Sequence, residues 1–269
     1  MTTQAIDMRL SVLDMALAAG SGHIGGSFSA MEILKVLYED QMRVRPKEPL
    51  WADRDRLVLS KGHAAPALYV NLARKGFFDA GELTHLRELG HFLQGHPCMF
   101  KCPGVDMSTG SLGLGLSVGV GMALSLRDEH PDAHVYVILG DGELQEGQNY
   151  EAMMAMRSFS LSNLTPIVDY NRVQLDGTND EIQPNQTALA ERLAGFGLTL
   201  FMTDGHDEAA LRKTLAEARA CSQPHIVIAN TIKGKGVSFM EGKSAWHGKP
   251  ITKEEYEAAC AELKGGRTL

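Results

Sequence analysis

The chain has 269 residues, 44% of them hydrophobic, and a formal net charge of −7 at pH 7. This length and composition predict one large domain over residues 1–269 with a sizeable core, and the negative charge argues against binding to nucleic acid or to anionic membranes. No segment approaches the roughly eighteen apolar residues of a membrane span, no signal-peptide core begins the chain, and the four cysteines show no disulfide spacing, so we expect a cytoplasmic protein.

Hydrophobic periodicity predicts strands that alternate with helices along the chain. In chain order, we expect helices over 4–19 and 30–39, a strand over 57–59, a helix over 112–126, a strand over 135–139, a helix over 147–159, strands over 165–169 and 198–203, a helix over 207–220, a strand over 225–230 and a final helix over 252–263. This alternation favours right-handed crossovers and predicts an α/β fold with a mostly parallel central sheet and helices on both faces. The segment 233–250 is rich in glycine and lysine without periodicity, so we expect a long functional loop.

An acidic residue and an amide follow two of the predicted strands. Asp141 comes after the apolar run 135–139 and one glycine, and Asn171 lies thirty residues later, shortly after the apolar run 166–168. The carboxyl ends of parallel strands meet at one edge of a sheet, where open α/β sheets bind ligands. We therefore expect these two side chains to lie close together in a ligand site.

The chemistry of these groups suits a hard metal ion and a phosphorylated ligand. The Asp141 carboxylate, the Asn171 amide oxygen and a backbone carbonyl, for which Val173 is the candidate, are oxygen ligands of the type that Mg²⁺ and Ca²⁺ bind. Gly142 allows phosphate oxygens to approach the backbone at the start of the next helix. Two alternatives stay open at this point, because Gly-Asp-Gly also fits a tight turn and Asp141 also fits a helix N-cap.

The spacing of Asp141 and Asn171 resembles the cofactor signature of thiamine diphosphate enzymes. Five further stretches are similar to the transketolase family and occur in the family's order: Ser-Gly-His-Ile-Gly-Gly at 21–26, Asp-Arg-Asp-Arg-Leu-Val-Leu-Ser-Lys-Gly-His-Ala at 53–64, Gly-His-Pro at 95–97, Ser-Thr-Gly-Ser-Leu-Gly at 108–113 and Trp-His-Gly at 246–248. The resemblance extends from about residue 5 to about residue 255. It implies thiamine diphosphate as cofactor, with Mg²⁺, Ca²⁺ or Mn²⁺ held by Asp141, Asn171 and the Val173 carbonyl.

Four histidines lie within these stretches, each in a glycine-flanked loop. The resemblance implies that His63 and His247 contact the diphosphate and line the channel, and that His23 and His96 donate to the hydroxyl and carbonyl oxygens of a ketose substrate. Imidazole suits this task because it exchanges protons near neutral pH. A single loop histidine is more often solvated or structural, and the other six histidines keep that interpretation.

Apolar and backbone contacts to the cofactor are also implied by the resemblance. The loop with Gly110 and Leu112 corresponds to the one that meets the aminopyrimidine end through backbone groups, although the family usually has proline where Ser111 stands. Leu175 and Ile232 occupy positions that flank the thiazolium ring. Ordinary core packing is the alternative for both of these residues.

Three acidic residues, Glu143, Glu146 and Glu151, follow Gly-Asp-Gly and allow two interpretations. Acidic residues at a helix start stabilise the helix dipole. The resemblance instead places Glu143 with the cofactor-binding residues, and it places Glu146 and Glu151 in a buried carboxylate network between subunits, with a catalytic role for Glu146. Facing carboxylates in such a network would share protons and have raised, coupled pKa values.

A zinc site is a further alternative for one short segment. His96, Cys98 and Cys102 form His-x-Cys-x₃-Cys, which contains residue types that bind zinc. A fourth ligand at the usual spacing is missing from this segment, which argues against a structural zinc site.

The resemblance covers only the diphosphate-binding domain of a transketolase, which is a much longer chain of three domains. The family's pyrimidine-binding domain carries the glutamate that protonates the aminopyrimidine and the arginines that bind sugar phosphate. We therefore expect the N-terminal subunit of a split transketolase, which transfers a two-carbon ketol unit from a ketose phosphate to an aldose phosphate. A partner chain would supply the pyrimidine-binding and C-terminal domains, in a heterotetramer with two copies of each chain.

Two other functions remain open from the sequence. The chain could be a non-catalytic, cofactor-binding or regulatory relic, although a relic has no need to keep metal ligands and histidines. It could also be the α subunit of a 2-oxo acid dehydrogenase or part of a deoxyxylulose phosphate synthase, which share the spacing from Asp141 to Asn171. The stretches at 53–64 and 246–248 favour transketolase over both.

Overall fold

Five parallel strands form the central sheet of the computed structural model, which describes residues 1–185 and 188–265. The strands are β1 (Arg56–Leu59), β2 (Val135–Gly140), β3 (Leu164–Tyr170), β4 (Thr199–Asp204) and β5 (His225–Asn230). Their order across the sheet is β1-β2-β3-β5-β4, and each adjacent pair is parallel. The predicted α/β fold and all five predicted strands are confirmed.

The helices of the described residues surround this sheet. They are α1 (Thr3–Ala19), α2 (Ile24–Ser29), α3 (Met31–Val36), α4 (Ala65–Lys75), α5 (Gly115–Glu129), α6 (Gly147–Ser158), α7 (Asn179–Ile182), α8 (Leu189–Ala194), α9 (Glu208–Arg219) and α10 (Lys253–Gly265). A π-helical turn, Leu37–Gln41, continues α3. The segment 233–250 is a loop with one 3₁₀ turn, Ser244–Trp246, as expected.

The helices differ from the sequence prediction in five places, of which two are the short helices α7 and α8 that the prediction did not include. The helix expected over 112–126 begins at Gly115, so Leu112 lies in the preceding loop. Helix α2 was missed because its sequence, Ile-Gly-Gly-Ser-Phe-Ser, has few helix formers and is buried throughout. Helix α4 was missed because Pro66 suggests a break, although proline is compatible with the first turn of a helix.

The two faces of the sheet are covered by different helices. Val135, Val137 and Leu139 of β2 pack with α5, α6 and α8, whereas Tyr136 and Ile138 pack with α1, α3, α4, α9 and α10. Alternate residues of a strand point to opposite faces, and burial of both faces is typical of parallel sheets. This packing confirms the predicted helices on both faces.

The carboxyl edge of the sheet gathers the segments that carry the predicted site. Strands β1, β2, β3 and β5 end at Leu59, Gly140, Tyr170 and Asn230, and all four lead into loops at the same edge. Such an edge is the usual ligand site of an open α/β sheet. Within the described ranges, no helix combines the length and the apolar character needed to cross a lipid bilayer.

Two glycines of α5 offer a matched test of how closely this helix packs on the sheet. A Cβ atom at Gly119 would lie 2.5 Å from Cγ2 of Val137, whereas one at Gly121 would meet nothing within 4 Å. Gly119→Ala should lower the free energy of unfolding by about 1–2 kcal/mol, because overpacking a core is costly. Gly121→Ala should raise it by about 0.5–1 kcal/mol, because alanine favours the helix. Urea unfolding measures both, and equal effects would contradict the packing.

Candidate active site

A cavity of about 260 Å³ opens at the carboxyl edge of the sheet. Its lining comes from the segments that follow β1, β2, β3 and β5, from α2 and from the loop before α5. The lining residues are Gly26, Lys61, His63, Leu112, Gly140, Asp141, Gly142, Glu143, Gln145, Glu146, Asn171, Val173, Gln174, Leu175, Lys233 and His247. Ten of the predicted site residues are therefore brought together in one cavity: His63, Leu112, Asp141, Gly142, Glu143, Glu146, Asn171, Val173, Leu175 and His247.

Asp141 lies at the start of the turn that follows β2, and its side chain is almost completely buried. The backbone N–H groups of Gly142 (2.9 Å) and Arg172 donate to its two carboxylate oxygens. Burial raises the pKa of Asp141 to about 6, and the nearby Asp169 carboxylate adds to the effect. The carboxylate is thus held in position by the backbone, but its negative charge is poorly compensated.

Asn171 and Val173 lie in a tight loop after β3, where Arg172 has a left-handed backbone conformation (φ 65°). Val173 N–H donates to Asn171 Oδ1 over 3.0 Å, and Val173 also forms an antiparallel bridge to Thr178. The Val173 carbonyl oxygen accepts a hydrogen bond of 3.0 Å from Lys233 Nζ. The loop therefore holds the amide and the carbonyl side by side next to Asp141.

These three oxygen donors fit a divalent metal ion. A carboxylate, an amide and a backbone carbonyl form a ligand set for Mg²⁺ or Ca²⁺ that leaves positions for water and phosphate oxygens. Within the described part of the chain, the Asp141 carboxylate makes no ion pair with a lysine or arginine and accepts hydrogen bonds only from backbone N–H groups. A buried carboxylate that lacks a cationic partner is costly, and a bound metal ion would remove this cost.

Two buried lysines, which the sequence interpretation did not select, complete the cavity. Lys61 donates to Gly26 O (3.2 Å) and forms a buried ion pair with Asp169. Lys233 donates to the Val173 carbonyl and, over 2.9 Å, to His247 Nδ1. Burial lowers the pKa of Lys233 to about 8, and Lys61 contributes to this shift. Lys61 stands within the stretch at 53–64, so that stretch contained a signal for it.

Three of the four predicted histidines form a cluster, and two of them, His63 and His247, line the cavity. Their ring centroids are separated by 5.2 Å for His23 and His63, 5.5 Å for His23 and His247, and 4.8 Å for His63 and His247. Burial lowers the pKa of His23 to about 4, with Arg87 as the next cause, and burial followed by Lys233 lowers that of His247 to about 3. The pKa of His63 is also lowered, by burial and then by Lys61. All three rings are therefore uncharged at neutral pH.

His96 approaches the cluster from the loop 95–110. A Cβ atom at Gly110 would lie 3.2 Å from His96 Cδ2, and Gly110 has a positive φ of 152° that side chains rarely adopt. Burial lowers the pKa of His96, with Arg87 as the second cause. A second cavity, of about 490 Å³, is lined by His96, Gly110, Ser111 and neighbouring residues. His96 thus lines a second cavity and lies close enough to His23 to contribute to the lowered pKa of that ring.

Glu143 connects three loops of the site. Its Oε1 atom accepts hydrogen bonds from Ser60 Oγ and from Gly113 N–H (2.9 Å), and its Oε2 atom accepts one from Gly140 N–H (2.9 Å). Both oxygens are thereby engaged by the protein. The predicted contact of Glu143 with a cofactor stays a prediction, and its observed contacts are structural.

The apolar residues of the site are exposed rather than packed in the core. Leu112, Leu175 and Ile232 expose 40%, 59% and 37% of their surface. Core packing, the alternative for Leu175 and Ile232, is therefore wrong. Leu112 and Leu175 line the cavity, and Ile232 precedes the lining residue Lys233. Their exposure agrees with contact to an apolar ring or to another chain.

The acidic residues Glu146 and Glu151 are exposed on the surface of the isolated chain. Burial in a network between subunits would require a second chain, so that role stays a prediction.

Among residues 1–185 and 188–265, no group of three or more histidine, cysteine, aspartate or glutamate side chains is arranged to hold a metal ion. The predicted magnesium site contains only one side chain of these four types, Asp141, so this finding does not bear on it. A structural zinc site at His96, Cys98 and Cys102 would require a group of such side chains.

Almost the whole chain matches one family of known proteins. A family model described as the thiamine diphosphate-binding domain of transketolase matches residues 2–265. The chain belongs to this transketolase family. The match confirms the predicted resemblance and the thiamine diphosphate-binding character of the domain, and it selects transketolase over the 2-oxo acid dehydrogenase and deoxyxylulose phosphate synthase alternatives.

Two relatives of this transketolase domain have similar lengths. A 6-deoxy-6-sulfo-D-fructose transketolase subunit from Clostridium sp. (strain MSTE9) is 44% identical over 97% of this chain and 95% of its own length. An apulose-4-phosphate transketolase subunit from Phocaeicola vulgatus is 41% identical over 95% of this chain and 90% of its own length. These names agree with the prediction of an N-terminal transketolase subunit.

Solved transketolase structures are longer than this chain. The transketolase from Campylobacter jejuni superposes with a TM-score of 0.89 and 31% identity, which covers 98% of this chain but 43% of the Campylobacter protein. The sheet and its helices therefore correspond to less than half of that enzyme.

Substitution of the buried carboxylate tests the metal site. Asp141→Asn retains the shape of the side chain and one acceptor oxygen, but it removes the charge. We expect affinity for thiamine diphosphate with Mg²⁺ to fall about a hundredfold, because loss of a charged partner costs about 3 kcal/mol. Calorimetric titration in the presence of the partner subunit measures this. Asp128→Ala, an exposed aspartate on α5, is the control, and unchanged affinity of Asp141→Asn would place the metal elsewhere.

Proposed function

We propose that this chain is the N-terminal subunit of a split transketolase, which transfers a two-carbon ketol unit from a ketose to an aldose. One observation supports this proposal most strongly. Asp141, Asn171 and the Val173 carbonyl lie together beside a cluster of uncharged histidines. The comparisons support it, since the chain spans 95% of one named transketolase subunit but 43% of a complete transketolase. Residues 1–269 would form one diphosphate-binding domain, with a functional loop at 233–250.

The proposed cofactor is thiamine diphosphate with a divalent metal ion, for which Mg²⁺ is the first choice and Ca²⁺ or Mn²⁺ are alternatives. When bound, thiamine diphosphate supplies a carbon atom that carries the two-carbon unit between sugars. Asp141, Asn171 and the Val173 carbonyl would hold the metal ion. The ammonium group of Lys233, which lies against the Val173 carbonyl, is a nearby donor for phosphate oxygens. The predicted phosphate contact of the Gly142 N–H group would compete with its hydrogen bond to Asp141.

The histidines of the chain have separate tasks in this proposal. His63 and His247 line the cavity and contact the diphosphate end of the cofactor. His23 and His96 donate hydrogen bonds to substrate oxygens, for which uncharged imidazoles are suited because each ring has one donor and one acceptor nitrogen. His23 Nδ1 is buried and has no partner among the described residues, which supports a role toward a bound molecule.

A partner chain completes the site in this proposal. Leu112 and Leu175 line the first cavity, Leu114 lines the second, and all three are exposed. We treat them as an apolar rim, because exposed apolar side chains of this kind mark interaction surfaces. Glu146 lines the first cavity, and Glu151 is a second exposed carboxylate on α6. We propose that a C-terminal transketolase subunit with the pyrimidine-binding and C-terminal domains covers this rim, in a heterotetramer with two copies of each chain.

The proposed substrates are sugars that carry a terminal anionic group. One relative is named for a sulfonated fructose and the other for apulose 4-phosphate, so both names describe ketoses with a strongly acidic substituent. Pentose phosphates fit the same description. The proposal includes a cytoplasmic location, which the four free cysteine thiols support.

An assay of ketol transfer with and without a partner tests the proposed function. The purified chain alone should be folded but inactive, because the acid that activates the aminopyrimidine belongs to the pyrimidine-binding domain. The complex obtained by co-expression with the adjacent reading frame should transfer two-carbon units from phosphorylated or sulfonated ketoses. A chain purified from a host that lacks transketolase is the control for contamination. Turnover by the chain alone, or an inactive complex with bound cofactor, would refute the proposal, the latter in favour of a non-catalytic relic.

A further inference from the structure

A buried ion pair connects the first and third helices on the face of the sheet that carries α1. Arg9 of α1 and Glu32 of α3 are both 0% exposed. Arg9 Nη1 and Nη2 donate to the two carboxylate oxygens of Glu32 over 2.6 and 2.9 Å. Burial alone would raise the pKa of Glu32, but Arg9 and a hydrogen bond from His206 lower it to about 2. The carboxylate is therefore charged at all ordinary pH values.

His206 extends this pair toward the active site. Its Nδ1 atom lies 2.9 Å from Glu32 Oε2, and its Nε2 atom accepts a 2.8 Å hydrogen bond from Ile232 N–H. Since Nε2 accepts, the proton of the neutral ring is on Nδ1 and is donated to Glu32. The carboxylate thereby selects the tautomer that can bind the Ile232 backbone.

Arg9 binds the other end of the same segment. Its Nε atom donates to Lys235 O over 2.9 Å, and its Nη2 atom also donates to Phe28 O over 2.9 Å. The backbone from Ile232 to Lys235 is thus held at one end by His206 and at the other by Arg9. Phe28 belongs to α2, the helix that starts directly after His23, so the same guanidinium also holds α2.

The segment between these two anchors contains Lys233, whose ammonium group reaches the Val173 carbonyl and His247. Gly234 N–H donates to Gly25 O over 3.0 Å, which joins the segment to α2 directly. A Cβ atom at Gly25 would lie 3.1 Å from Lys233 Cγ. Small shifts of the segment would therefore change the position of the Lys233 side chain relative to the cavity.

A buried ion pair is a costly way to stabilise a fold, since apolar residues of similar size often do as well. Here every donor of Arg9 except those bound to Glu32 is directed at backbone carbonyls of Ala5, Phe28 and Lys235. We propose that Arg9, Glu32 and His206 are positioning residues, which hold the segment 232–235 against α2 so that Lys233 faces the cofactor phosphates. The consequence for the cofactor rests on the proposed function, whereas the positioning of the segment does not.

Two substitutions of His206 separate the positioning role from simple stability. Asn places its amide near the ring position of Nδ1 and keeps a donor for Glu32, but it is too short to reach Ile232 N–H. Gln places its amide oxygen near the position of Nε2 and keeps the acceptor for Ile232. His130 lies outside this network and pairs with Asp53 over 2.7 Å. The substitution His130→Asn is therefore the matched control.

Hydrogen exchange on the purified full-length chain, without cofactor or partner, measures the segment itself. His206→Asn should speed exchange in peptides covering 230–240 about fivefold, as expected for loss of one hydrogen bond, with exchange in β2 and β3 unchanged. His206→Gln and His130→Asn should behave like the wild type. Equal exchange in His206→Asn and wild type, or faster exchange over the whole sheet, would overturn the positioning role.

Calorimetric titration of the complex with thiamine diphosphate and Mg²⁺ measures the consequence for the cofactor. His206→Asn should weaken binding about fivefold or more, and His206→Gln should restore it. Restored exchange protection without restored affinity would overturn the link between the segment and the cofactor. If the wild-type complex binds no thiamine diphosphate, the proposed function fails, while the exchange measurement still decides the positioning role.

Discussion

The cost of burying charge at the carboxyl edge of the sheet governs how this site is built. Asp141 directly follows β2, Asp169 lies near the end of the adjacent strand β3, and both are buried. Burial disfavours the ionised form of any carboxylate. Asp169 is compensated by Lys61, Ser29 and Thr231, and its pKa is lowered despite its complete burial. Asp141 has no such partner among the described residues, and its pKa is raised. One carboxylate is therefore neutralised within the protein, and the other remains available to an external cation.

The rest of the site can be understood as support for this unpaired carboxylate. Glu143 accepts hydrogen bonds from Ser60, Gly113 and Gly140 with its two carboxylate oxygens, and so joins the segments that follow β1 and β2 to the loop before α5. Lys61 and Lys233 bring positive charge into the cavity, and burial keeps the neighbouring histidines uncharged. Lys233 in turn depends on the ion pair of Arg9 and Glu32 and on His206, which lie outside the cavity. Charges that are costly for stability are thus used to fix the geometry of a binding site.

Much of the fold and the site could be predicted from the sequence, because both leave local patterns. Each of two apolar runs in the sequence predicts a buried strand, and Asp141 and Asn171 each come shortly after one of these runs. Because the carboxyl ends of parallel strands meet at one edge of a sheet, the two residues could be placed together. Helix α2 could not be predicted, since its glycines suit a buried helix only when neighbouring elements are known. His206 and Glu32 could not be assigned either, because these two partners are 174 positions apart and no local spacing relates them. The exposure of Leu175 and Ile232 likewise becomes visible only in the structure.

In the proposed function, the edge formed by β2 and β3 holds a metal-bound diphosphate through Asp141, Asn171 and the Val173 carbonyl. Diffraction from crystals of the complex grown with thiamine diphosphate and Mn²⁺ tests this directly, since manganese is located by its anomalous signal. We expect one strong anomalous peak within bonding distance of these three oxygen ligands, with Lys233 displaced from the Val173 carbonyl toward the phosphates. An ordered cofactor whose metal ion has other ligands, or a peak absent from this edge while the cofactor is bound, would contradict it.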